Sequence, residues 1–262
     1  MGPDLQIDTS ILVNNLSVCG KLNTTSLYSR AVCCKHKQKT EVAMKRTFLL
    51  AIMVIMSLSP ISCGHDHNNQ TITTQILSDP AIDGDILQTS LTTFTVTQGM
   101  TPTIQSVFAG IDPVSLDESR AFLDFPLTGP GGVPGDAVIV KATLNIVITN
   151  VSLQVPTDTI PIRIELVSPG LILVQDDFSR TLLPAIAFTT IEPPISSADI
   201  GGDVPVDVTS LMVQAQNLGL ADFQVRILED LVPAAPAGLI EINDATGSLR
   251  GNFAPLLEVE YF

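Results

Sequence analysis

Beyond residue 67 the chain has no histidine, and beyond residue 63 it has no cysteine. The part of the chain after residue 67 therefore cannot form a Ser-His or Cys-His catalytic pair or a zinc site with histidine or thiolate ligands. It must also fold without disulfides. Tryptophan is absent throughout, which disfavours the sugar platform of a glycoside hydrolase, although a pair of catalytic carboxylates stays open. We expect that this protein is not an enzyme.

Basic residues are scarce over the same region. From Gly64 onward there are 24 acidic and six basic residues, whereas the first 63 residues carry seven basic and three acidic ones. Nucleic-acid binding requires clustered Lys and Arg that neutralise phosphates, so we exclude a nucleic acid as partner. Strong acidity is compatible with a bound divalent cation.

The N-terminal residues differ in kind from the rest of the chain. Residues 1–43 show no sustained periodicity, and at Met44 a new pattern begins with a basic stretch, an apolar run over 48–56 and small residues up to Cys63. This layout is typical of an export signal over residues 44–63. The apolar run is shorter than the about 20 residues that a transmembrane helix needs. We interpret residues 1–43 either as upstream sequence that is read in frame by mistake, with Met44 as the true start, or as a disordered leader.

Cys63 lies at the end of this signal, where a bacterial lipoprotein carries its lipidated cysteine. The stretch 58–64 resembles a lipobox, and the polar residues 65–70 that follow are suited to a tether. We expect a lipid on Cys63 that holds the protein at a membrane of the cell envelope. The alternative is ordinary signal cleavage nearby, which would release a secreted domain. Both readings place the protein outside the cytoplasm, on the outer membrane, on the cell surface or in the medium.

From residue 72 onward the chain is rich in Val, Ile, Thr and Leu, with Gly or Pro at intervals of about ten residues. This pattern predicts an all-β, antiparallel, jelly-roll-like sandwich over 85–262, preceded by a polar tether and a weak first strand within 64–84. Apolar residues at helical spacing predict one short helix over 208–219. The clearest strands, with period-two alternation, are 119–127, 137–149 and 159–167. Weaker strands are expected at 87–97, 104–109, 151–155, 171–174, 223–228, 239–242 and 256–262.

Three stretches carry a likeness to a known family. They are R-A-F-L-D-F-P-L at 120–127, followed by the strand 138–144; V-D-V-T-S-L at 206–211; and F-A-P-L-L-E-V-E-Y at 253–261. In this order they resemble the DNRLRE family of extracellular bacterial modules. The resemblance implies a jelly-roll-like sandwich on the cell surface or in the medium, which in some members binds acidic sugars. We therefore expect a non-catalytic binding module, with polysaccharide as the expected partner; the alternative is a structural lipoprotein that binds an envelope protein.

Two pairs of acidic residues are candidate calcium ligands, because loops of a sandwich can present several carboxylate oxygens to one ion. They are Asp83 with Asp85, and Asp176 with Asp177. The alternative is that these side chains bind the main chain of their own turns. No other cofactor is expected.

Most charged and aromatic residues within the strands have structural explanations that require no metal or ligand. Arg120 is expected to pair with a carboxylate, such as Asp124 or one on an adjacent strand, rather than to bind a sugar. Arg163 and Glu165 are assigned to a solvent face. The nine phenylalanines after residue 63 are expected mostly in the core. Three of these side chains are less clearly directed into the core and could stack on a sugar ring: Phe94, Phe108 and Phe178.

Overall fold

The structure is a computed structural model that describes residues 70–230 and 237–262. The leader 1–43, the export signal 44–63 and Cys63 lie outside the described residues, so their assignments stay predictions. The described part is all-β, with twelve strands that pair antiparallel throughout. The predicted antiparallel, sandwich-like fold is confirmed.

The strands in chain order are β1 (Ile72–Leu77), β2 (Gly84–Ser90), β3 (Thr93–Gln98), β4 (Ser106–Ile111), β5 (Glu118–Pro126), β6 (Ile139–Leu153), β7 (Ile162–Val167), β8 (Ala187–Thr190), β9 (Asp203–Asp207), β10 (Asp222–Glu229), β11 (Gly238–Asn243) and β12 (Leu256–Tyr261). Helix α1 (Thr209–Asn217) joins β9 to β10, within two residues of the predicted helix at each end. A one-turn helix, α2 (Arg250–Phe253), precedes β12. No helix in the described ranges is long and apolar enough to cross a membrane.

The long strand β6 connects the two layers. Its first part pairs with β12 and β9, and its last part pairs with β11. The strands follow the order β1-β12-β6-β11-β4-β5-β10-β7-β8, and the β2–β3 hairpin joins β5. With 15 residues, β6 is longer than the usual strand of about five or six residues because it belongs to both layers.

Three predicted strands are wrong in detail. The stretch 87–97 is a hairpin and not a single strand, because the chain turns at Leu91 between β2 and β3. The side chain of Leu91 is 93% exposed at this turn. The stretch 151–155 is no separate strand, since β6 continues to Leu153. The stretch 171–174 leads into the 3₁₀ helix Gln175–Phe178. The short strands β8 and β9 have too few residues to show a period in the sequence.

The core lies between the layers and is formed by the apolar residues that alternate along the strands. In β6 the residues Ala142, Leu144, Ile146 and Ile148 are fully buried, as the period-two pattern predicts. Val138 and Val140 were expected on the same buried face but are 54% and 45% exposed. They lie at the end of the sheet, where Val138 pairs with the C-terminal Phe262 and little covers them.

Strand β4 passes very close to β11 at Gly110. This glycine has φ of +115°, and a Cβ there would overlap the main-chain carbonyl oxygen of Gly238. The position therefore needs a residue without a side chain, for both the backbone angle and the close approach of the two strands.

Gly110→Ala should lower the free energy of unfolding by about 3 kcal/mol, since it combines strain at positive φ with a steric clash. The control is Gly135→Ala, where a Cβ would meet nothing within 4 Å. Urea unfolding followed by circular dichroism compares the two variants. Equal midpoints would contradict this account of the β4–β11 contact.

Candidate functional site

One surface of the sheet is covered by the segment between β7 and β8, residues 168–186, here called the strap. Side chains of the strands hold it through its main-chain oxygens. Arg226 of β10 donates to the carbonyls of Asp177 and Leu183, and Arg120 of β5 donates to the carbonyl of Phe178. Phe178 of the strap packs on Ile86 and Phe122 of the sheet in a small apolar cluster. The strap therefore covers this part of the sheet.

Glu165 of β7 lies under the strap and is fully buried. Its Oε2 accepts from the Nη2 and Nε atoms of Arg226, at 2.6 and 3.0 Å. Its Oε1 forms ion pairs with Arg163 at 2.8 Å and with Arg180 at 3.0 Å. The assignment of Glu165 to a solvent face was wrong. Alternation in the sequence shows which face a side chain takes, but not that the chain folds back after β7 and covers that face with the strap.

Arg120 pairs with a carboxylate, but not with Asp124 as expected. Its Nη2 lies 2.6 Å from Glu118 Oε1, and its guanidinium carbon lies 3.9 Å from the centre of the Phe178 ring. Glu118 and Asp124 share a face of β5 with Arg120, so the sequence pattern alone did not decide between them. The stacking on Phe178 holds the guanidinium beside Glu118.

A groove of about 360 Å³ lies elsewhere on the sheet, between the β2–β3 hairpin and β4. Its aromatic wall is Phe108, which is half-buried. Three carboxylates line it, from Asp85 on β2 and from Asp112 and Asp117 in the β4–β5 loop. Hydroxyl groups complete the lining, contributed by Thr95, Thr97, Ser106, Ser115 and Ser119. An apolar ring beside many hydrogen-bonding groups is typical of a ligand site rather than of a core.

Asp85 lies at the floor of this groove with 6% of its surface exposed. Its Oδ2 accepts from the main-chain N–H of Phe108 at 3.3 Å, which ties the hairpin to β4. Burial raises the pKa of Asp85 to about 6. At the rim, Asp112 Oδ1 accepts from the amides of Val114 and Ser115, and these bonds lower the pKa of Asp112. Main-chain amides thus hold two of the three groove carboxylates, Asp85 and Asp112, in place.

The four calcium candidates do not form one cluster. Asp83 is fully buried and accepts from the amide of Asp124 at 2.7 Å, and Asp85 lines the groove. Asp177 accepts from the amide of Val174 at 2.8 Å in the strap, where Asp176 is exposed. Across residues 70–230 and 237–262, no group of three or more His, Cys, Asp or Glu is placed to hold a metal ion. Calcium binding stays a prediction without a preformed ligand group.

A second groove, of about 410 Å³, lies on β1, β6 and β12. It is lined by amide and acidic side chains such as Gln75, Asn145 and Glu258, and Gln75 donates to Glu258 at 2.8 Å. No aromatic ring is part of its lining among the described residues. The groove beside Phe108 therefore offers more to a ligand with both polar and apolar surfaces.

The aromatic residues singled out from the sequence divide between these surfaces. Phe108 lines the groove, whereas Phe94 and Phe178 pack edge to face with their ring centres 5.3 Å apart. Among the groove's polar groups, Asp85 was singled out in the sequence only as a calcium candidate, and the hydroxyls and the carboxylates of Asp112 and Asp117 were missed. The alternation of threonines at 93, 95 and 97 was a usable signal, since two of them line the groove.

No protein-family model matches this chain, and no curated protein matches it. The likeness to DNRLRE modules at 120–127, 206–211 and 253–261 therefore stays a prediction.

Glu165→Gln should lower the free energy of unfolding by about 3–5 kcal/mol, because Arg226 would then be buried without its carboxylate. The matched control is Glu192→Gln, the same change at an exposed position, with an expected effect within about 0.5 kcal/mol. Chemical unfolding of both variants gives the comparison. If the two variants were equally stable, Glu165 would not hold the strap.

Stability should fall as the pH rises from about 5 to 8. Burial raises the pKa of Asp85 and Asp124 from 3.8 to about 6 and that of Glu229 from 4.5 to about 7. The folded state binds these protons more tightly than the unfolded chain, so their contribution is complete below the ordinary pKa values and is lost as the pH passes the raised ones. Below about pH 4, protonation of Asp112 and Asp207, whose pKa values are lowered, opposes this trend.

Melting temperatures measured at constant ionic strength test this dependence. Asp85→Asn should flatten the slope between pH 5 and 8, because the amide cannot ionise and its oxygen can still accept from Phe108. Asp136→Asn, at an exposed position, should keep the slope of the unchanged protein. A melting temperature that rises from pH 5 to 8 would contradict the burial of these carboxyls.

Proposed function

We propose that this protein is a non-catalytic binding module of the cell envelope, or of the medium, that holds a carbohydrate in the groove beside Phe108. The observation that carries the proposal is the convergence of one aromatic ring, three carboxylates and several hydroxyls on one groove. Its volume of about 360 Å³ is in the range of small-ligand sites, about 300–1,000 Å³.

The chemistry of a sugar fits these groups. A pyranose ring presents C–H groups on its face and hydroxyls at its edge, so the face can pack on Phe108 while the hydroxyls donate to carboxylates. Hydrogen bonds to an ionised acceptor such as Asp112, whose charged form is favoured by two main-chain amides, are stronger than those between neutral groups. Because main-chain amides hold the carboxylates of Asp85 and Asp112, these two groups need little reorganisation on binding.

A binding role without catalysis is supported by the side chains that the groove offers. The chain after residue 67 supplies neither histidine nor cysteine for nucleophilic or acid–base chemistry. Asp112 accepts two main-chain hydrogen bonds that favour its ionised form, which suits an acceptor and not a proton donor. Export through residues 44–63, with a lipid on Cys63 as the membrane anchor, would bring the module to extracellular polysaccharides.

A second candidate function is docking of an envelope protein on the strap and the start of β8. This surface exposes several apolar side chains, which are Leu171, Ile172, Val174, Leu182, Ile186 and Phe188. Phe188 is 54% exposed and covers the guanidinium of Arg163 at 3.4 Å from the ring centre. Exposed apolar surface of this kind is common where proteins meet.

The two functions are separated by a pair of matched variants in the full chain. Phe108→Ala should weaken retention on immobilised polysaccharide about tenfold, the loss expected for an aromatic contact. Phe188→Ala removes the same ring outside the groove and should leave retention unchanged.

Melting curves of both variants establish that each is folded under the conditions of the assay. Loss of polysaccharide retention in Phe188→Ala with full retention in Phe108→Ala would move the site to the strap. If the unchanged protein retained no polysaccharide, the carbohydrate proposal would fail.

A further inference from the structure

The charged residues of this protein are distributed unevenly between the groove and the rest of the surface. Asp85, Asp112 and Asp117 line the groove, and neither lysine nor arginine is part of its lining among the described residues. The three carboxylates also receive no ion pair from an arginine there. A ligand that enters the groove therefore meets negative charge only.

The arginines of the folded part are engaged elsewhere. Each of the five in the described ranges forms an ion pair with a carboxylate: Arg120 with Glu118, Arg163, Arg180 and Arg226 with Glu165, and Arg250 with Asp244. The sixth basic residue, Lys141, lies on β6 opposite Glu260, away from the groove. No guanidinium is therefore positioned at the groove to receive an anion.

Recognition of uronates and sulfated sugars depends on such cations. Carboxylates and sulfates are bound most strongly by Arg forks or by Lys, and a like charge opposite them is repulsive. In the groove, an anionic group of the ligand would lie beside the carboxylates of Asp85, Asp112 and Asp117, and a site partly shielded from water screens that repulsion less than open solvent does. Freeing an arginine from Glu165 instead would break a buried ion pair.

We infer that the groove selects glycans that carry no negative charge, whether neutral or amine-bearing, and excludes uronate and sulfated polymers. This inference rests on the proposed function, since it names the class of carbohydrate that the same groove takes. Hydroxyl and ammonium groups of the ligand donate to Asp85 and Asp117, while the sugar face packs on Phe108. This differs from the acidic sugars that the likeness to DNRLRE modules implies for some members.

The test is retention of the full chain on a panel of immobilised polymers at low and at physiological salt. Xylan, laminarin and galactomannan are the neutral probes, chitosan is the amine-bearing probe, and polygalacturonate, alginate and heparin are the acidic probes. We expect retention on at least one polymer of the first two kinds and none on the acidic polymers at either salt concentration.

Two variants with the same charge change refine the test. Asp117→Asn removes a charge from the groove and should weaken binding of the retained polymer several-fold. Asp136→Asn removes a charge from an exposed loop and should leave retention unchanged. Melting curves confirm that both variants are folded.

The possible failures can be told apart. Retention on an acidic polymer that is lost in Phe108→Ala would overturn the charge selection but keep the carbohydrate function. Retention on no polymer of any kind would overturn both.

Discussion

A single buried carboxylate, Glu165, organises one surface of this sandwich. It binds Arg226 through two nitrogen atoms and pairs with Arg163 and Arg180, while Arg226 also holds two carbonyls of the strap. A buried arginine without a carboxylate would be strongly destabilising, so the network allows only the strap position that completes it. The strap in turn covers the apolar cluster around Phe178. Packing on this surface thus depends on one ion-pair network rather than on apolar burial alone.

Closing that surface has a consequence for function. The arginines that could attract anions are committed to internal pairs, and the aromatic ring of Phe178 is used beneath the strap. The groove between the β2–β3 hairpin and β4 is left with Phe108, hydroxyls and carboxylates. Gly110 allows the β4–β11 approach that places Phe108 at the groove wall, because any side chain there would meet Gly238. The residues that hold the strap and those that line the proposed binding groove therefore lie on different parts of the molecule.

Much of the fold could be predicted from the sequence, but little of the candidate site could. Period-two alternation located β5, β6 and β7, and helical spacing located α1, because these patterns follow from local geometry. Alternation could not show that Glu165 is covered, since the strap follows β7 in the chain and folds back over that face only in the tertiary structure. The groove was equally hidden, because Asp85, Phe108 and Asp117 come from three separate elements that only strand pairing brings together. Two of these residues were singled out beforehand, Phe108 as an aromatic residue without a clear place in the core and Asp85 as a calcium candidate.

The location of the ligand is tested most directly by hydrogen–deuterium exchange of the full chain with and without a saturating neutral oligosaccharide. Peptides that span the hairpin at 84–98 and the stretch 106–119 should exchange more slowly with the sugar bound, because a ligand in the groove shields these amides and ties the hairpin to β4. Peptides from the strap and β8, residues 168–190, should be unchanged. Protection confined to the strap, or no protection anywhere, would contradict the assignment of the groove as the binding site.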